Sequence, residues 1–342
     1  MPLTHAVVID EPGHMALRTV ELTPLGDDDV AVETRYTSIS AGTERMLLAG
    51  RMPHPMLALP VVPGYETVGR IVELGARAPR ELLGAEVYVG GARCYVGVNP
   101  AWGGQAARLH VEHTRVIPLE GLDARHGVLL ALAATALHGI DVLAGGADMA
   151  GRRVLVIGQG PVGQIAARLL RLRGAWVAVA DRVASRLERA SADLRLMAGA
   201  DPLGEALGGQ VDAIVEASGS MAALSEALPQ LAMDGTVLLL GYYDELKLPY
   251  MPLFLRQARL LTAKEWGPGD LVRCRDLMRS GELDLAPLLT HSMPLAALSE
   301  AYATALDDPQ CLKLVLEWPG DGVTSKRGDL NRGAGGAPPT QP

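Results

Sequence analysis

The sequence predicts an α/β protein in two parts, a β-rich, barrel-like N-terminal domain and a doubly wound parallel-sheet domain. Three observations predict it. Short strand-like runs punctuated by Pro and Gly dominate residues 1–122. Strand-like and helical patterns alternate over 123–265. A glycine-rich turn, Gly158-Gln159-Gly160-Pro161-Val162-Gly163, follows the apolar run 154–157 and opens a helical pattern.

In the first part the clearest strands are 6–9, 29–33, 67–72 and 86–89. Residues 128–143 then read as a mostly apolar, buried helix. Beyond it the expected order is strand 154–157, helix 162–173, strand 176–181, helix 184–192, strand 211–217, helix 222–231 and strand 236–241. After about residue 266 polarity rises. Helices at 271–280 and 298–305 and a strand at 312–318 suggest that 266–320 returns to complete the first domain. Residues 321–342, rich in Gly, Pro, Thr and charge, read as a disordered tail.

The glycine-rich turn carries the first functional signal. Gly158 permits a tight turn, Gly160 lets a pyrophosphate approach the backbone, and Gly163 lets helix and strand pack closely. Pro161 and Val162 open the helix, whose N-terminus offers free N–H groups and a positive dipole end to phosphates. The next strand ends at Asp181, 181 − 163 = 18 residues past the last glycine. That is near the ~20 expected for an acid that binds ribose hydroxyls. A carboxylate there repels a 2′-phosphate, which favours NAD over NADP, whereas the neighbouring Arg182 is able to receive one. Ala217 and Ser218 lie in the exit turn of the fourth strand, where a dinucleotide crosses the sheet edge.

Composition excludes several classes. The chain has 342 residues, formal net charge −8 and no strongly basic block, which argues against nucleic acid as a partner. No apolar run approaches the ~20 residues of a membrane span, and the N-terminus lacks the pattern of a signal peptide. Cys94, Cys274 and Cys311 are isolated from one another, which suits a reducing cytoplasm.

Three local matches make the chain similar to the medium-chain dehydrogenase/reductase superfamily. Ile39-Ser40-Ala41-Gly42-Thr43-Glu44 resembles its I-C-G-T-D, Pro63-Gly64-Tyr65-Glu66-Thr67-Val68-Gly69 its P-G-H-E-x-x-G, and Gly158 to Gly163 its cofactor turn. The resemblance implies a GroES-like N-terminal domain, a Rossmann domain and a homo-oligomer. It also exposes departures. Ala41 and Tyr65 stand where zinc members carry Cys and His, and Leu130-Ala131-Leu132-Ala133-Ala134-Thr135 has no third ligand. Catalytic zinc needs about three protein ligands, so a zinc-free enzyme with no metal is expected. Further matches resemble a zinc-free branch acting on bacteriochlorophyll precursors. They are Ser40 to Arg45, Val62 to Glu66, Gly91 to Tyr95, Trp102-Gly103-Gly104, Leu130 to Ala136 and Ala263-Lys264-Glu265-Trp266. This resemblance alone implies a tetrapyrrole substrate and NAD-dependent oxidation of its 3-(1-hydroxyethyl) group to acetyl. A zinc-free quinone or enone reductase is the alternative.

Without zinc another group must handle the alcohol proton. Thr43 matches the superfamily's relay hydroxyl. Tyr65 is the first candidate to accept the proton, provided that its pKa of about 10 falls. Glu66 is the second, unless it forms a structural ion pair with an arginine, and His138 is the third. Met46, Leu47, Leu48, Met52, Met56, Leu57 and Leu59 would suit a flat apolar macrocycle or ordinary core filling. Arg45, Arg51 and Arg93 are candidates to pair with a substrate carboxylate. Trp102 is a candidate to stack on the ring or to line the nicotinamide pocket.

Overall fold

The computed structural model describes residues 1–52 and 58–319. Met56, Leu57 and the expected tail 321–342 lie outside the described residues.

The glycine-rich turn sits at the centre of a six-stranded parallel sheet. Its spatial order is Leu194–Met197, Trp176–Asp181, Arg153–Ile157, Val211–Glu216, Leu231–Leu239, Arg259–Thr262. Numbered along the chain, that order is 3-2-1-4-5-6, so the sheet reverses direction beside Arg153–Ile157. Such a switch point opens a crevice at the carboxyl ends of the strands. The central strands are apolar throughout because helices cover both faces. Leu194–Met197, Arg259–Thr262 and the helix Tyr250–Leu255 were not expected from the pattern. Both strands are short and lie at the sheet's edges, where one side needs no apolar continuity.

The apolar helix runs from Leu130 to Ala144 and ends at Gly145, whose φ of +57° closes it. It packs between the helices Pro161–Leu172 and Asp270–Ser280. Nine of its residues are buried, which explains why its sequence has no polar stripe.

The β-rich part comprises two further sheets. Leu3–Glu11 and His14–Leu22 anchor the smaller one, and Asp29–Ser38 and Thr67–Leu74 anchor the larger. The strand Lys313–Glu317 joins the larger sheet, pairing antiparallel with Asp29–Ser38 and parallel with Leu289–Pro294. Nearly the whole chain therefore lies between two strands that touch. The helix Ala41–Leu48 follows directly from Asp29–Ser38 and carries the first motif. Among the described residues no helix is long and apolar enough to cross a membrane.

Ile140→Ala should test the packing of the buried helix, since Ile140 is fully buried. The lost methylenes and the cavity together predict about 2–5 kcal/mol of destabilisation. Urea denaturation should show a lower midpoint with an unchanged slope.

Candidate active site

A cleft of about 1460 Å³ runs between the β-rich part and the parallel sheet. A site for one small ligand occupies roughly 300–1,000 Å³, so this cleft has room for two ligands side by side. Its walls gather Ser40, Thr43, Tyr65 and Trp102 from the β-rich part, Pro161, Val162, Arg182 and Ser218 from the sheet, and Lys313 from the returning strand.

On the sheet side, the turn has the geometry its glycines require. A Cβ on Gly163 would stand 1.8 Å from the Gly158 carbonyl oxygen, so only glycine fits. A Cβ on Gly160 would meet nothing within 4 Å, which leaves open space in front of the helix N-terminus. No side chain caps that terminus, so its first amides remain available to an anion. Asp181 ends its strand and accepts the N–H of Gln159 at 2.6 Å and of Val183 at 2.8 Å. Its carboxylate is thereby fixed beside the turn. Ala217 donates its N–H to the Ile157 carbonyl at 2.8 Å, which brings the fourth strand's exit against the turn.

A residue missed from the sequence organises that exit. Glu216 is fully buried and accepts the N–H of Ser218 at 2.8 Å and of Gly219 at 3.1 Å. The Ser218 and Tyr243 hydroxyls also donate to it. Burial and this carboxylate push the Tyr243 phenol above its ordinary value. A carboxylate at the end of an apolar strand was the only available signal.

On the opposite wall three hydroxyls converge. The Tyr65 and Ser40 hydroxyl oxygens are 2.6 Å apart, Tyr65 and Thr43 are 3.2 Å apart, and Ser40 and Thr43 are 3.5 Å apart. Ser40 lies just ahead of the helix Ala41–Leu48, and Thr43 lies in its first turn. Tyr65 is held from behind by Tyr88, which donates to its carbonyl at 2.7 Å. The condition for Tyr65 to act as a base, a lowered pKa, is not met. Burial raises it, and the charges of Glu66 and Glu44 raise it further, against smaller opposing effects from Ser40 and Thr43. Tyr65 is a neutral phenol across the physiological range.

Glu66 does not line the cleft. Its side chain is buried and ion-paired with the equally buried Lys313, so its partner is a lysine rather than an arginine. Nearby, Glu44 is also buried and accepts from Gln105 at 3.2 Å, and Gln105 in turn accepts from Tyr302 at 2.7 Å. Burial pushes the Glu44 carboxyl well above its ordinary range. The Glu66 charge adds to this and Lys313 offsets part of it.

His138 is also corrected. Its Nδ1 faces Asp270 at 3.3 Å, on the side of the helix Asp270–Ser280, and it does not line the cleft. The buried helix points Leu132 and Thr135 into the cleft instead, and His138, about one turn further along, meets the helix Asp270–Ser280. Among the described residues no group of three His, Cys, Asp or Glu side chains stands together to hold a metal ion. The donors present, neutral hydroxyls and a carboxylate already paired with a cation, do not suit zinc.

Lys313→Met should leave Glu66 buried without its partner and destabilise the fold by about 3–5 kcal/mol. Adding Glu66→Gln should recover most of that loss, as thermal melts of the single and double variants would show. Glu44 makes a second prediction. A carboxyl raised on folding stabilises below its unfolded value, and that contribution disappears as pH rises through its folded value. Glu44→Gln should therefore gain stability relative to the parent between about pH 5 and pH 8. Paired melts at those two pH values check the sign.

Two family profiles match the chain. "Alcohol dehydrogenase GroES-like domain" matches residues 26–121, and "Zinc-binding dehydrogenase" matches residues 161–269. The chain is 34% identical to 2-desacetyl-2-hydroxyethyl bacteriochlorophyllide A dehydrogenase of Cereibacter sphaeroides, covering 92% of this chain and 98% of that one. It is 35% identical to the protein of the same name from Rhodobacter capsulatus, with the same coverage. A solved short chain alcohol dehydrogenase from E. coli CFT073, complexed with NADH, shares the fold. It has a TM-score of 0.80 and 21% identity, covering 92% of this chain and 99% of that one. With both domains matched in order, and relatives alike over nearly their full length, the chain belongs to the medium-chain dehydrogenase/reductase superfamily of oxidoreductases.

Proposed function

We propose that the protein oxidises the 3-(1-hydroxyethyl) group of a (bacterio)chlorophyllide a to 3-acetyl, with NAD and without zinc. The observation that carries the chemistry is the Ser40–Thr43–Tyr65 hydroxyl cluster on the cleft wall facing the glycine-rich turn. The substrate is supported by the names of the two relatives, which do not favour the quinone or enone alternative. Three buried, unpaired thiols support a cytoplasmic setting.

The sheet-side residues fit a dinucleotide. Gly158, Gly160 and Gly163 leave room for a pyrophosphate, Pro161 and Val162 open the helix toward it, and Asp181 offers acceptors to ribose hydroxyls. Ala217 and Ser218 border its path across the sheet edge. Bound there, the nicotinamide supplies the hydride acceptor. The Asp181 charge opposes a 2′-phosphate, and the exposed Arg182 is the residue able to receive one.

Tyr65 holds the substrate hydroxyl and takes its proton while passing the phenol proton to Ser40. Thr43 takes the proton that Ser40 gives up and releases its own to water in the cleft, which is the final acceptor. This relay needs no phenolate at any stage, which agrees with the raised phenol. Glu66 acts behind it, as the partner of Lys313.

The direct test is an anaerobic assay with 3-hydroxyethyl bacteriochlorophyllide a, using NAD or NADP, with and without a strong chelator. The expected result is a red shift of the pigment band with NAD that survives chelation. Loss of the shift on chelation would overturn zinc independence, and no shift with either nucleotide would overturn the substrate. Tyr65→Phe should lower turnover by about 10²-fold or more. Its pH profile should match the parent's near neutrality, since no Tyr65 ionisation occurs there. Near-parental turnover in that variant would exclude the relay.

A further inference from the structure

Two residues on the cleft wall occupy backbone conformations that bulky side chains avoid. Trp102 has φ +72° and Glu265 has φ +50°, and both line the cleft. A left-handed tryptophan persists only where its surroundings impose it. Here a glycine corner packs directly against it. Gly91, at φ +111°, lies beneath Trp102, and a Cβ on it would stand 2.2 Å from the Trp102 carbonyl oxygen. Tyr95 donates to the Gly103 carbonyl at 2.6 Å and locks the next residue. The Trp102 ring rests edge-on against Tyr65, with centroids 5.2 Å apart.

Trp266, which follows Glu265, borders the same corner. A Cβ on Gly90 would lie 3.9 Å from its six-membered ring. Two of the four tryptophans thus flank Gly90 and Gly91 and line the cleft. The other two are engaged elsewhere. Trp176 lies under Arg153 at 3.8 Å, and Trp318 donates to Thr37 at 2.9 Å.

The corner also carries positive charge. Arg93, two residues past Gly91, is exposed, lines the cleft and has no hydrogen-bond or ion-pair partner among the described residues. Arg45 is spent on the Leu306 carbonyl and Asp307, and Arg51 does not line the cleft. Of the three arginines singled out in the sequence, Arg93 alone is placed and free to meet a ligand.

We propose that the Gly90–Gly91 corner is a docking rim that selects the substrate. Trp102 and Trp266 receive a flat apolar ring system, and the Arg93 guanidinium holds a carboxylate on the ring's margin. The proposal rests on the reading above that a tetrapyrrole is the substrate, whose free propionate supplies that carboxylate. Aromatic rings favour flat apolar faces, and a guanidinium pairs with a carboxylate through two parallel N–H groups.

The test measures Kd for 3-hydroxyethyl bacteriochlorophyllide a and for its propionate methyl ester, by titrating the pigment's visible absorption. The full-length parent should prefer the acid by about fivefold. Arg93→Leu should bring acid and ester to nearly the same Kd, and Arg93→Lys should restore part of the preference. Trp102→Asn should weaken both ligands by about tenfold. Asn tolerates the left-handed backbone and so offsets part of the packing lost around Trp102, and a thermal melt should still show one cooperative transition. An acid preference that survives in Arg93→Leu, or parental affinity in Trp102→Asn, would overturn the rim. A parent that binds the pigment without oxidising it would refute the proposed reaction and leave the rim to be judged by these affinities. A parent that binds neither form would refute the rim, whatever else it oxidises.

Discussion

The buried Glu66–Lys313 ion pair is the constraint on which the hydroxyl-bearing wall of the cleft depends. It ties the corner bearing Tyr65 to the first residue of the returning strand, which pairs with Asp29–Ser38. The Glu66 carbonyl also accepts the Ser38 N–H at 3.0 Å. Ser38 leads directly to Ser40, so both ends of the 2.6 Å Tyr65–Ser40 contact hang from one residue. Two buried charges cost several kcal/mol each to desolvate and attract each other strongly only if held close. The pair therefore contributes more to geometry than to net stability.

The same charges decide what Tyr65 is able to do. Burial already disfavours a phenolate, and the carboxylates of Glu66 and Glu44 disfavour it further. A zinc ion would lower the pKa of an alcohol by direct coordination. This wall instead offers a phenol kept neutral and linked to two aliphatic hydroxyls, a set suited to passing a proton along. The sheet side uses a buried carboxylate differently. Glu216 gathers two backbone N–H groups and two hydroxyls, converting an exit turn into a fixed edge of the cofactor crevice.

Much of the architecture was legible because its signals are local. The turn from Gly158 to Gly163 stands between the strand Arg153–Ile157 and the helix Pro161–Leu172, as its pattern requires. The apolar stretch around Leu137 forms one buried helix. Less legible were Leu194–Met197, Arg259–Thr262 and Leu289–Pro294, short strands that owe their extended form to a neighbour rather than to their own alternation. The helix Ala41–Leu48 was hidden because its residues read first as a motif.

By itself, the sequence determined the class of protein and the glycine-rich turn, and its resemblance to the superfamily put Ala41 and Tyr65 where zinc members carry metal ligands. The fold class and the turn follow from residue identity and from spacing within a few turns or strands, and the comparison at Ala41 and Tyr65 follows from the resemblance. The tertiary structure alone decided that Lys313 is the partner of Glu66, that the Tyr65 phenol is raised rather than lowered, and that His138 faces Asp270 outside the cleft. It also separated Arg93 from Arg45 and Arg51. Each of these depends on desolvation or on distances between groups far apart in the chain. Charge–charge and burial energies are set by the folded surroundings, and no local pattern encodes them.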